Sequence, residues 1–437
     1  MDWVTTLILM FGGVIFFLLL GLPIVFSFLV VNLIGAFFVM GGDVGIMQMV
    51  RNMQGSVAQY ALAPIVLFVF MGEIMLHTKI AARAIDAVDR LFSRVPGRLS
   101  LIAVTGGTVF ATLSGSTLAN TAVLGKTLLP EMKERGYAPG ISMGPIMAVG
   151  GIAMLIPPSG LAVLLGSLGK ISINQLLIAA IVPAAMMAML FFVYIIARCM
   201  INPSLAPAYE VEERSWSDRL LPFFKYVVPL GGIFVAVVGS MVAGIATPTE
   251  SAALGSLASI LAAALYRSLS FKALIDSITE TMKFSAMILF VICASSTFSQ
   301  ILAFSGATHS ISMFVAELGL SPFALLLAML AILLLLGCFM EQVSMMMLTL
   351  PIFMPIALSA GIEPVWFGVM LLIVLEMSLC TPPLGLLIFV MQGIAPKGTT
   401  LQNIYASVTP FILLEVLVLG LIMAFPIITS WLPSMLL

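Results

Sequence analysis

Ser114-Gly115-Ser116-Thr117-Leu118-Ala119-Asn120-Thr121 sets small and polar side chains between two apolar runs, each too short to cross a bilayer comfortably. A membrane-spanning helix needs about 20 apolar residues. The run from Arg98 reaches only Leu113 before the polar tip, and the chain returns through 122–132 to Lys133, Glu134 and Arg135. Basic residues at both ends mark entry and exit on one face of the membrane, so the stretch reads as the tip of a re-entrant helical hairpin. A second interruption follows at Ile156-Pro157-Pro158-Ser159-Gly160. Both recur in the second half, as Gly337-Cys338-Phe339-Met340-Glu341-Gln342 and as Cys380-Thr381-Pro382-Pro383-Leu384-Gly385. Four such breaks predict one binding site near the middle of a membrane.

Composition demands the membrane. The chain is 62% hydrophobic and 8% charged, against about 25% charged residues in a soluble domain. Glycine (36) and proline (24) are frequent enough to break helices at membrane depth. A net charge of −1 offers no basic patch for phosphates, which argues against nucleic acid as a partner. Cys199, Cys293, Cys338 and Cys380 are scattered without metal spacing. His77 and His309 are the only histidines, leaving little material for a catalytic cluster, so the chain reads as a transporter and not an enzyme. No basic run precedes the first apolar stretch, so the first span is expected to stay in the mature protein.

Taken in order, residues 4–40 give two spans around Gly21-Leu22-Pro23, 43–60 a helix lying flat at the interface, and 61–76 a third span. Lys79, Arg83, Arg90, Arg94 and Arg98 place the next segment in the cytoplasm. A hairpin over about 99–135 and a broken helix over about 140–169 follow, and residues 1–198 form a first repeat. Residues 199–220 are a hydrophilic cytoplasmic linker. Residues 221–437 repeat the pattern, with a hairpin over about 321–358 and a broken helix over about 365–395. Leu22-Pro23 matches Thr247-Pro248, Val95-Pro96 matches Ser321-Pro322, Pro157-Pro158 matches Pro382-Pro383, and Val182-Pro183 matches Thr409-Pro410. An odd number of crossings per half turns the second copy upside down. Charge agrees, because loop 304–320 lacks the basic residues of its twin, while a second flat helix over 267–284 carries Arg267, Lys272 and Lys283. The expected fold is therefore an all-α polytopic membrane protein of two inverted-topology repeats, with both termini outside and all basic residues inside except Arg51 and Lys170.

Unwound backbone survives in lipid only where protein, ions or water satisfy it. Carbonyls, hydroxyls and the Asn120 amide at the breaks are hard oxygen donors for a small cation, and helix N-termini there favour an anion. Three carboxylates, Glu250, Glu341 and Glu376, stand within apolar surroundings, where an ionisable residue is a functional candidate by default. Glu250 also reads as an ordinary helix cap after Thr247-Pro248-Thr249. His309 reads as an exposed loop residue, and Met345-Met346-Met347 as hairpin packing.

At these residues a family resemblance enters. Ser114-Gly115-Ser116 with Ala119-Asn120, Gly136-Tyr137, Ile156-Pro157-Pro158-Ser159, Thr247-Pro248-Thr249-Glu250 and Thr381-Pro382-Pro383-Leu384-Gly385 together resemble the large, DctM-like membrane subunit of tripartite ATP-independent periplasmic (TRAP) transporters. The resemblance covers essentially the whole chain. It implies a sodium-driven importer of small organic acids in the bacterial inner membrane. Cargo would arrive from a periplasmic binding protein, and a small four-helix membrane subunit would be the permanent partner. It also implies an elevator-type movement of hairpins and broken helices against a scaffold of the remaining spans. Carried over, one sodium site uses Ser114, Ser116 and Asn120 with carbonyls around Gly151, Ile156 and Pro157, and a second uses Gly337, Met377 and Thr381. Substrate touches Ser116, Thr117, Ser159, Thr381 and Pro383. Two departures stand out: Glu341 replaces a frequent Asp, and no Lys or Arg occurs between Lys283 and Lys397 to clamp an anion. A stand-alone sodium/dicarboxylate symporter, needing no binding protein, is the alternative.

Overall fold

The computed structural model describes residues 3–80, 83–84, 87, 95–114, 117–157, 159–207, 220–337, 340–382, 385–396 and 398–436, without the side chains of 61, 109–114, 119, 242 and 316. Among them every regular element is helical. Six helices are long and apolar enough to cross a membrane, and one bent pair makes a seventh. The protein is accordingly a multi-pass membrane protein.

The first half opens with α1 (Trp3–Leu19) and α2 (Ile24–Val39). Gly21 turns the chain between them at φ +84°, a conformation open to glycine, and Pro23 starts the next helix. Next come α3 (Asp43–Val57) and α4 (Ala63–His77). The first hairpin is α5 (Arg98–Ser114) with α6 (Thr117–Glu134), which pack on each other. The first broken helix is α7 (Pro139–Leu155) with α8 (Gly160–Gly169), bent by 52°. Two more helices, α9 (Ile173–Ala179) and α10 (Ile181–Ile201), close this half.

The second half runs through α11 (Val228–Val242), α12 (Pro248–Leu265), α13 (Phe271–Phe304) and α14 (Ala307–Glu317). Its hairpin is α15 (Pro322–Leu336) with α16 (Gln342–Ser359). Its broken helix is α17 (Pro364–Leu379) with α18 (Leu386–Ile394), and α19 (Leu401–Ala424) and α20 (Ile427–Leu436) end the chain. Helix starts follow local capping chemistry. Ser270, Ser321 and Thr400 each accept from the backbone N–H three residues on, at 3.1, 3.2 and 3.2 Å.

Two differences from the sequence reading concern helix ends. The flat helix expected over 267–284 is part of α13, one unbroken helix of 34 residues. No glycine or proline lies between Phe271 and Phe304 to end it. At 1.5 Å per residue it is about 50 Å long, well beyond a bilayer core of about 30 Å. Loop 304–320 holds α14, so His309 sits on a helix, exposed as expected.

The core lies at the two broken helices. Every residue of α7 from Ile141 to Leu155 is buried, as is every residue of α17 from Phe367 to Leu379. Helices buried on all sides need apolar or small residues all round, and both sequences provide them. α7 touches α17 and packs closely on α5 and α19. Gly144 makes the last approach possible, because a Cβ there would run into the Ser407 carbonyl and lie 2.6 Å from the Phe411 ring. The halves also interlock crosswise: α6 of the first hairpin packs on α18, and α16 of the second packs on α8.

Gly144→Ala is expected to destabilise the protein by about 1–3 kcal/mol through overpacking. Gly140→Ala, where a Cβ meets nothing within 4 Å, serves as the control and should be neutral. Thermal unfolding in detergent reads both.

Candidate functional site

At the first tip α5 ends at Ser114 and α6 begins at Thr117. Ser116 lies outside the described residues, as do Pro383 and the side chain of Ser114. On α6, Thr117, Asn120 and Thr121 share one face, being three and four residues apart. All three are buried, Asn120 and Thr121 completely. Asn120 Oδ1, Asn120 Nδ2 and Thr121 Oγ1 have no hydrogen-bond partner among the described residues. Each such atom costs about 1–3 kcal/mol unless something fills the need. Two of these three atoms are oxygens, the kind of hard donor a small cation takes, and Asn120 is the residue the resemblance proposes for one. Thr121, which sequence reasoning passed over, joins it.

Glu376, on α17, draws the two tips together. Its Oε2 accepts from Thr117 Oγ1 at 3.0 Å and from Gln342 Nε2, the first residue of α16. The side chain is 2% exposed, and its Oε1 has no partner among the described residues. That oxygen lies against α7 at Gly150, where a Cβ would strike both it and Thr117 Cγ2. Gly150 therefore leaves the room in which a buried carboxylate from one half meets the hairpin of the other.

Glu341 immediately precedes α16, half-buried, and accepts from Ser344 Oγ at 3.3 Å. Glu250 stands apart from these two. It is exposed and forms a capping box at the start of α12, with Thr247 N and Oγ1 donating to its Oε2 at 2.7 and 2.8 Å. A fourth carboxylate escaped the sequence reading. Glu415, on α19, is 3% exposed, and a Cβ on Gly151 would lie 2.6 Å from its Oε1. Its signal was a charge within the apolar run Phe411-Ile412-Leu413-Leu414, away from any interruption.

The remaining candidates fall along the broken helices. Ile156 is extended backbone at the end of α7, followed by buried Pro157. Ser159 caps α8, accepting from Ala162 N at 3.2 Å. Gly337 closes α15 so tightly on α17 that a Cβ would collide with Ser378, which places it beside Met377. The Met377 carbonyl already accepts from Cys380 N at 3.1 Å and Thr381 Oγ1 at 2.8 Å. The structure thus brings Thr117, Gln342, Gly150 and Glu376 together. Gly337 lies against Ser378 near the C-terminal end of α17, and Thr381 follows that helix.

A profile described as "Tripartite ATP-independent periplasmic transporter, DctM component" matches residues 11–428. The C4-dicarboxylate TRAP transporter large permease protein of Pseudomonas aeruginosa is 31% identical over 86% of this chain and 86% of its own length. The isethionate TRAP transporter permease protein DctMQ of Oleidesulfovibrio alaskensis is 28% identical over 99% of this chain and 66% of its own length. Among solved structures the Alcanivorax borkumensis YdaH transporter superposes with a TM-score of 0.63 over 90% of each chain, at 14% identity, a likeness of fold alone.

Because the Glu250 carboxylate is taken up by Thr247, Glu250→Ala and Thr247→Ala should lower the melting temperature equally, and the double variant no further. Additive losses would separate Glu250 from the cap.

Proposed function

We propose that this chain, which belongs to the DctM component family of TRAP transporters, is the large permease subunit of a sodium-coupled importer for a small organic anion. One observation carries the reading: buried polar atoms of Asn120, Thr121 and Glu376 have no partner among the described residues where the two hairpins meet α17. Such a deficit supports a binding site, because buried polar groups are nearly always paired.

Ser114, Ser116 and Asn120, with the chain around Gly151, Ile156 and Pro157, would hold one sodium ion. The second would sit at Gly337, Met377 and Thr381, and cargo between the tips at Ser116, Thr117, Ser159, Thr381 and Pro383. Bound sodium supplies positive charge to an anion pocket in which no Lys or Arg between 283 and 397 can do so. Cation and anion then enter together, because each reduces the cost of burying the other.

The two halves act as inverted repeats, 1–198 and 221–437, joined by the 199–220 linker. Their crosswise packing, α6 on α18 and α16 on α8, supports that reading. Hairpins and broken helices then move as one body against the other helices, with the overlong α13 part of the frame. The inner membrane is the proposed location. A small four-helix membrane subunit and a periplasmic binding protein are the proposed partners, and the greater length of the isethionate relative is consistent with an additional membrane part.

Reconstituted with both partners and an inward sodium gradient, the chain should take up cargo, and omission of the binding protein should abolish uptake. Uptake by the chain alone would favour a stand-alone symporter. Asn120→Ala should raise the sodium concentration for half-maximal uptake about tenfold, the loss of one charge-assisted contact. Unchanged sodium activation would remove the first site. Glu341→Gln should impair uptake while the protein remains folded in the membrane, and normal uptake would make Glu341 structural.

A further inference from the structure

We propose that Glu376 is a positioning residue that couples cation binding at the first hairpin to the seating of the second. This rests on the sodium reading above and adds to it a residue for the coupling. Three observations converge. Glu376 Oε2 is shared by Thr117, which opens α6, and by Gln342, which opens α16, so one carboxylate oxygen ties both tips to α17. Glu376 Oε1 faces no partner among the described residues although the side chain is only 2% exposed. Asn120 and Thr121, also lacking partners among the described residues, follow Thr117 by three and four residues on the same helical face.

A carboxylate buried without compensating charge is strongly unfavourable. Among the described residues, the fully buried ionisable acids and bases include Glu376 and Glu415 but no Lys or Arg. A cation against Asn120 and Thr121 supplies the missing charge within a turn of Thr117. The attraction is strong because the site is buried. Filling the site also fixes Glu376 in the rotamer that receives Gln342. The second hairpin is then fastened when the cation is bound and loosened when it leaves. Gly150 is required for the same reason, since any side chain there would displace the carboxylate.

The test measures sodium-dependent thermal stabilisation of the purified full-length protein, with choline as the control cation. It is combined with hydrogen-exchange protection of residues 340–359 with and without sodium. Glu376→Gln keeps the shape and removes the charge, and should raise the sodium midpoint about tenfold. Thr121→Val should raise it about threefold. Gln342→Ala leaves the charge in place, so its midpoint should stay near the wild-type value while sodium no longer protects the second hairpin. A purely structural Glu376 would lower the melting temperature equally with and without sodium and leave the midpoint unmoved, which overturns the proposal. Should Glu376→Gln fail to fold, sodium protection of the second hairpin retained in Gln342→Ala overturns it instead. Absence of any sodium effect on the wild-type protein overturns both this proposal and the sodium reading. A sodium effect unaltered by Glu376→Gln overturns this proposal alone.

Discussion

Backbone and side-chain polar groups inside a bilayer must find partners, and this constraint governs the whole chain. A continuous helix meets it by itself. At Ser114–Thr117, Ile156–Gly160, Gly337–Gln342 and Cys380–Gly385 the helices stop, and the need passes to whatever surrounds them. The fold answers by bringing the starts of α6 and α16 to Glu376 on α17, beside Gly150 of α7, and both α7 and α17 are buried along nearly their whole length. Among the described residues, Asn120, Thr121 and Glu376 are a group of buried side chains left with unmet polar atoms, and the proposed site lies there.

The packing that achieves this depends on small residues. Gly144 lets α19 approach α7, Gly150 admits the Glu376 carboxylate, and Gly337 lets α15 close on Ser378. Without a hydrophobic driving force between helices in lipid, such close approaches and buried polar contacts are what hold a membrane bundle together. The contacts that assemble the site and those that stabilise the fold are therefore largely the same. The Thr117–Glu376 hydrogen bond joins the first hairpin to α17.

Much of this was legible in the sequence, because polar or proline-rich interruptions stand out within apolar runs. The apolar helices and the helix ends near 156–160 and 380–385 follow from hydropathy and from where proline and glycine fall. Glu250 carried both readings in the sequence, and the capping box accounts for its partners. Legibility failed where the signal was not local. Thr117 and Glu376 are 259 residues apart, and no spacing rule joins them. Glu415 interrupts nothing in helix periodicity, so only its burial beside Gly151 reveals it. The flat helix expected before Ser285 merged into α13 because charge suggested an interface but nothing in the backbone chemistry ended the helix.

The proposed cation site rests on buried polar atoms of Asn120, Thr121 and Glu376 that have no partner among the described residues. Equilibrium binding of radiolabelled sodium to the purified protein tests this most directly. The account predicts saturable binding that unlabelled sodium displaces and choline does not. Binding that fails to saturate, or that choline displaces equally well, would contradict it.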